Sequence, residues 1–328
     1  TSPIAYIPDD NFRMAINEEL GQPSDYQPTI ADLNGLTGIL YAHDRYIISI
    51  VGAQYLTNLQ ELYLNNNQIS DLSPLAGLTN LKRLYLSSNQ ISDLSPLMGL
   101  NNLKWLHLDN NQISDLSPLA GLTNLQLLTL GENQISDLSP LAGLTNLYSL
   151  NISVNQISDL SPLAMLTNLD HLEIFNNQLS DLSPLAGLNT LQGLLLQNNQ
   201  ISDISPLAGI TNLQVLYLNY NQISDLNPLV DLTNLQNLRF DYNQISDLSP
   251  LAGLTNLQWL YFANNQISDL GPLAGLINLQ VLVLWNNPIS YESMLLSQSW
   301  SLPCHISTYN SLSPCYPDPS RNATNVLV

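Results

Sequence analysis

The chain has 328 residues, with 26 acidic side chains against 7 basic ones and a formal charge of −19 at pH 7. That balance excludes nucleic-acid binding through phosphate contacts and docking on an anionic membrane, since both need Lys and Arg. No apolar run approaches the roughly 18 residues that would span a bilayer, and two cysteines are too few to hold a fold together.

The chain opens on Thr1-Ser2-Pro3, with no basic or apolar leader, so any signal peptide is expected to have been removed. Asp9 is placed to cap a helix from Asp10 to about Leu20. Phe12, Ile16 and Leu20 recur at four-residue steps on one face, and Gly21 and Pro23 then stop the helix. Residues 1–33 therefore read as a helical cap.

From Leu56 to Ser297 the chain repeats every 22 residues, in eleven units that cover 242 residues. The unit reads L-T-N-L-x-x-L-x-L-x-x-N-Q-I-S-D-L-S-P-L-A-G. Shifting back one period puts Leu40, Ala42, Ile47 and Ile50 on core positions, with Arg45 where the motif has Asn. That makes twelve coils over 34–297. Leu62 and Leu64 alternate with Glu61, Tyr63 and Asn65, a period of two that predicts a short strand. Ile69, Leu72 and Leu75 recur every three residues, which suits a tight 3₁₀ turn. Ser73 before Pro74 reads as a helix start with Ser as the cap, and Gly77 as the hinge into the next coil. One coil cannot bury its apolar groups alone, but stacked coils can.

Two polar columns repeat with the same period. Asn67 and its equivalents to Asn287 lie between core residues, where an amide can donate to one coil and accept from the next. Asp71 and its equivalents to Asp269 precede Ser-Pro. They either accept turn amides or form a calcium-binding edge.

These residues resemble the 22-residue leucine-rich repeat of internalin-type bacterial surface proteins. The stretch Ile7-Pro8-Asp9-Asp10-Asn11-Phe12 is similar to the helical cap that opens such domains. The resemblance implies an α/β right-handed, curved solenoid with a parallel sheet on its concave face and short 3₁₀ or extended segments on the convex one. It also implies a secreted or cell-surface protein that binds host or neighbouring-cell molecules.

After Asn287 the motif fails. Pro288 replaces Gln, and Ser290 can start a short helix through Met294 and Leu295. In an exported protein Cys304 and Cys315 would pair within a C-terminal cap, 298–315; in a cytosolic one they would be free thiols. Residues 316–328 read as a linker or the opening of an immunoglobulin-like or fibronectin-like module. Asn322-Ala323-Thr324 fits a glycosylation acceptor that a bacterial host would usually ignore.

No catalytic motif is present, and the two histidines on the predicted strands, His107 and His171, are three coils apart, about 14 Å at strand spacing. The chain is expected to be no enzyme and to use no cofactor or metal. The informative residues are the outward strand positions. Nine of 36 are Phe, Trp or Tyr, against 7% aromatic residues in the whole chain, so the enrichment asks for a reason. One patch holds Tyr41, Tyr63, Tyr85, Trp105 and His107. Another holds Tyr217, Tyr220, Arg239, Tyr242, Trp259, Tyr261 and Trp285, and Phe175 stands between them. Strands favour aromatics, yet an apolar stripe facing water is a liability unless something covers it. Tyr, Trp and Arg also dominate binding hot spots. The sequence thus predicts a monomeric protein-binding or adhesion module that recognises a partner on the concave sheet. A glycan-binding module and a rigid spacer are the alternatives.

Overall fold

Asp9 is the N-cap of helix α1, Asp10–Glu19. One carboxylate oxygen accepts the Phe12 N–H at 3.1 Å, and the other accepts the Ile48 and Ser49 amides at 2.8 and 3.0 Å. A single side chain thus caps the helix and ties it to the first coil. The computed structural model describes residues 2–293 and the backbone of Ile306–Ser307. Cys304, Cys315 and the tail 316–328, to which the disulfide and linker expectations belong, lie outside the described residues.

Phe12 and Ile16 are buried on α1, as their spacing predicts, joined by Ala15 and Asn17. Leu20 is not part of that buried face. It is the C-cap and is half-buried, because the helix ends at Glu19. A second helix, α2, spans Ile30–Gly35, which the sequence reading passed over. Thr29 and Asp32 form its capping box: the Asp32 N–H donates to the Thr29 hydroxyl oxygen at 3.2 Å, and the Thr29 N–H donates to the Asp32 carboxylate at 2.7 Å.

Backbone contacts divide the chain into two units, 1–169 and 170–328. In the first, six strands pair in parallel in chain order: β1 Gly38–Tyr41, β2 Leu59–Tyr63, β3 Arg83–Tyr85, β4 Trp105–His107, β5 Leu127–Thr129 and β6 Ser149–Asn151. In the second, β7 His171–Glu173, β8 Gly193–Leu195, β9 Val215–Tyr217, β10 Asn237–Arg239, β11 Trp259–Tyr261, β12 Val281–Val283 and β13 Ile306–Ser307 do the same. Within each unit up to β12, Gly38 opposite Leu59 aside, the register is one period, as in Leu84 opposite Leu106 and Leu238 opposite Leu260, so equivalent side chains stack in columns. The motif leucines and isoleucines are at most 1% exposed, including Leu40, Ile47 and Ile50 of the degenerate first coil. The chain is therefore a leucine-rich-repeat solenoid in each unit.

The Asn column is built as its chemistry predicts. Asn89 Oδ1 accepts the Ile69 N–H at 2.9 Å, while Nδ2 donates to the Leu64 and Leu86 carbonyls at 3.0 Å each. At Arg45 no ladder amide exists, and the guanidinium instead forms an ion pair with Glu18 of α1.

Two local readings need correction. Ser73 is not a cap: Leu72 is the N-cap of the 3₁₀ turn Ser73–Leu75 and makes no side-chain bond there. The cap is the aspartate two residues earlier. Ten aspartates from Asp71 to Asp269 accept the N–H at position i+2 at 2.8–2.9 Å. Gly77 does lie in the turn into the next coil, but its φ is not positive, so that turn does not draw on glycine's left-handed freedom. The left-handed residue sits just before each ladder Asn. Asn holds it at 66, 110, 176, 198, 264 and 286, and Val154 at φ 54° is the β-branched exception. At the C-terminal end Ser290 Oγ accepts the Ser293 N–H at 3.1 Å, starting helical backbone at Tyr291.

Candidate ligand-binding face

Each short strand turns its central residue into the core and its two flanking residues outward. Parallel pairing in one-period register sets equivalent outward residues side by side, near the roughly 4.8 Å strand spacing that suits ring stacking.

In the first unit the outward column is a continuous stack. Tyr41 lies 4.9 Å from Tyr63, Tyr63 lies 4.1 Å from Tyr85 at 9°, and Tyr85 lies 4.5 Å from His107 at 8°. His43 closes one end edge-on to Tyr41. In the neighbouring column the Arg83 guanidinium sits 4.2 Å over the Trp105 ring and pairs with Glu61 at 2.6 Å. Burial, and then Tyr85 beside it, push the Tyr63 phenol above its usual value. Burial holds His107 below the usual imidazole value, against the pull of the Asp109 charge. His107 Nδ1 lies 3.2 Å from the Thr129 hydroxyl, which in turn donates to Asp109, and Asp109 also accepts the Gly131 N–H at 2.9 Å. Beside the stack is an open depression of 540 Å³, lined by the stacked rings together with Asp44, Asn65, Asn66 and Ser87.

In the second unit Arg239 is the centre. Its guanidinium lies 4.8 Å from the Tyr217 ring and 4.3 Å from the Tyr261 ring, on either side. Trp259, Tyr261 and Trp285 pack on Ala263, Val281 and Val283. Tyr220 and Tyr242 stack at 4.3 Å, with Trp285 edge-on to Tyr242. Asp241 accepts the Ala263 N–H at 2.9 Å, and burial raises its carboxyl above the usual range.

The structure thus brings Tyr63, Tyr85 and His107 into one stack, with Trp105 held by Arg83 in the next column. It groups Tyr217, Arg239 and Tyr261 with Trp259, Trp285 and the Tyr220–Tyr242 pair. Phe175 is half-buried and stacks on no ring among the described residues. One expectation changes. The strand aromatics are mostly half-buried, not open to water, because their faces cover one another; Tyr41, Tyr220 and Tyr242 stay exposed at 49%, 50% and 40%. Sequence reasoning missed Arg83, Asp109 and Asp241. Their signal was available as charged residues on outward columns next to aromatics.

Among the described residues no three His, Cys, Asp or Glu side chains gather as a metal site, and no helix is long and apolar enough to cross a membrane.

A family model of leucine-rich repeats in two copies matches residues 57–97, 101–143, 123–165, 145–187, 167–209, 189–231, 211–253 and 255–294. An internalin (inlF) of Listeria monocytogenes is 38% identical over 93% of this chain and 90% of its own, with a TM-score of 0.88. Internalin C2 (inlC2) of the same organism is 46% identical over 64% of this chain and 93% of its own, with a TM-score of 0.61. The PEPR1–AtPEP1 structure is 25% identical over 76% of this chain and 38% of its own, with a TM-score of 0.65. A comparison with curated proteins finds no match. The repeat, its Asn ladder and the agreement with inlF along nearly the whole chain place this protein in the internalin family of leucine-rich repeat proteins.

Proposed function

We propose that the chain is a non-enzymatic protein-binding module of a secreted or cell-surface bacterial protein, and that it recognises its partner through the outward face of the strands. The observation that carries this reading is the pre-ordering of large side chains on that face. Tyr41, Tyr63, Tyr85 and His107 are locked by stacking, and Arg239 is held between Tyr217 and Tyr261. Rigid aromatic and Arg side chains lose little conformational entropy on binding, and they are the residue types that act as interface anchors. Ring faces already occupied by other rings leave fewer platforms for sugar stacking, which weighs against a glycan ligand. The surface location is supported by the internalin relatives.

The test is a binding screen against cell-surface proteins and a glycan panel, using wild type and two variants of unchanged melting temperature. One variant carries Tyr85→Ala and Trp105→Ala, the other Trp259→Ala and Trp285→Ala. A protein ligand lost in either variant is the expected result. A ligand kept by both would move recognition to the 3₁₀ side or the caps, and a glycan hit alone would replace the partner class.

A further inference from the structure

The four arginines among the described residues are not equivalent. Arg13 pairs with Asp10 at 2.7 Å, Arg45 with Glu18, and Arg83 with Glu61 at 2.6 Å. Arg239 has no carboxylate within ion-pair distance among the described residues. Asp241, two residues along the same strand segment, holds the Ala263 amide instead. The Arg239 guanidinium is fixed by two tyrosine faces, which leave its hydrogen-bonding edges unused, and Nε is buried with no partner.

A second observation falls on the same face. Six buried side-chain polar atoms lack a partner among the described residues, and four of them are in the second unit: Gln197 Oε1, Asn237 Oδ1, Arg239 Nε and Asn264 Nδ2. All four side chains belong to the outward strand columns or the residue just beyond. Unpaired buried polar atoms are uncommon and ask for an explanation. Here they comprise two acceptors and two donors: Asn237 and Arg239 on β10, Asn264 just after β11, which carries Trp259 and Tyr261, and Gln197 just after β8.

We propose that Arg239 is the anchor for a carboxylate side chain, Asp or Glu, of a polypeptide ligand. Gln197, Asn237 and Asn264 serve the peptide groups on either side of that carboxylate. This inference rests on the outward face being the binding surface. Arg presents a planar fork that matches a carboxylate, and stacking between rings preorganises it. The ligand is a polypeptide because the unsatisfied set holds both donors and acceptors, as a peptide backbone requires. The half-buried rings of Trp259 and Tyr261 suit a neighbouring apolar side chain. The acidic chain sharpens the choice. With −19 overall, a carboxylate placed elsewhere on this part of the face meets like charge, so the one arginine without an ion pair among the described residues sets the register of the ligand.

The experiment uses an array of random octapeptides, probed with wild type, Arg239→Gln, Arg239→Lys, Arg13→Gln of the N-terminal helix, and the Trp259→Ala, Trp285→Ala variant. Each binder is resynthesised with its Asp or Glu changed to Asn or Gln. Binders are expected to require one acidic residue, with at least about tenfold weaker binding after its amide exchange or in Arg239→Gln. Partial recovery is expected in Arg239→Lys and no change in Arg13→Gln. The peptide exchange reads the same contact without altering the protein, so a misfolded variant does not blunt the test. Binders lost in the tryptophan variant but indifferent to the acid and to Arg239 overturn the anchor and leave the face intact. Binders indifferent to every one of these changes, or no binders at all, overturn both.

Discussion

Val154 holds φ 54° just before a ladder Asn, where six other coils place Asn. A β-branched residue in the left-handed region is strained by about 1–2 kcal/mol, whereas Asn tolerates it. Val154→Asn is expected to stabilise the protein by about 1 kcal/mol, seen as a higher urea midpoint with the slope unchanged. Asn155, the next residue, accepts from the Ile135 N–H at 2.9 Å and donates to the Leu130 carbonyl at 3.0 Å. Asn155→Ala orphans those groups and is expected to destabilise by about 1–3 kcal/mol; an unchanged melt would refute the ladder. His107 gives a pH dependence. Burial lowers its folded value, so the unfolded chain binds the proton more readily. Its contribution is complete above about pH 6.5, the unfolded value, and is lost as pH falls through the lower folded value. His107→Gln lacks this loss, so the stability gap between wild type and variant should narrow below about pH 6.5 in paired acid titrations of Tm.

The unit of construction is a short strand, a left-handed corner and a 3₁₀ turn, and the Asp column is what starts that turn. Asp115 Oδ1 accepts the Ser117 N–H at 2.8 Å. Its carboxyl sits below the usual range, first through the Ser117 hydroxyl and then through that N–H, while Asp93 and Asp137 oppose the shift. Asp115→Ala should lower the urea midpoint and speed hydrogen exchange at the Ser117 amide. Asp115→Asn keeps an acceptor oxygen but loses the charge that the Ser117 donors favour, so its midpoint should lie between those of Asp115→Ala and wild type. Equal losses in the two variants would mean that charge, not the cap, is what the column supplies. The strand half and the spacing of the turn were legible because periods of two and three separate cleanly in Leu62-x-Leu64 and Ile69-x-x-Leu72-x-x-Leu75. The cap was misread because Ser-Pro is itself a helix-start pattern. Only the hydrogen bond shows that the serine donates its N–H to the aspartate.

Across the whole molecule, stability should follow nearest-neighbour addition, because each coil packs on the next. Deleting residues 210–231, one whole period, should leave a cooperative fold with a denaturant slope reduced in proportion to the area lost. Deleting 211–231 shifts the motif by one residue and moves polar groups onto core positions, so circular dichroism should report a much larger loss. The same periodicity explains why the N-terminal cap is needed. Phe12 and Ile16 cover the first coil, and the Arg45–Glu18 pair occupies the place where the ladder has no amide.

The sequence by itself determined the repeat, the core columns, the Asn ladder and the helix under Asp9, because each depends on local spacing or on one residue's chemistry. It also located the two aromatic groups, since strand alternation tells inward from outward. What it could not decide is which outward side chains satisfy each other. Tyr63 and Tyr85 are a full period apart in the chain but 4.1 Å apart in space. Arg83 and Arg239 look alike in the motif. Only the tertiary structure shows that Glu61 pairs with the first, while the second lies between two tyrosine rings with no carboxylate at ion-pair distance among the described residues. Pairing across coils is a question of rotamer and register at contact distance, and that is decided when the strands stack.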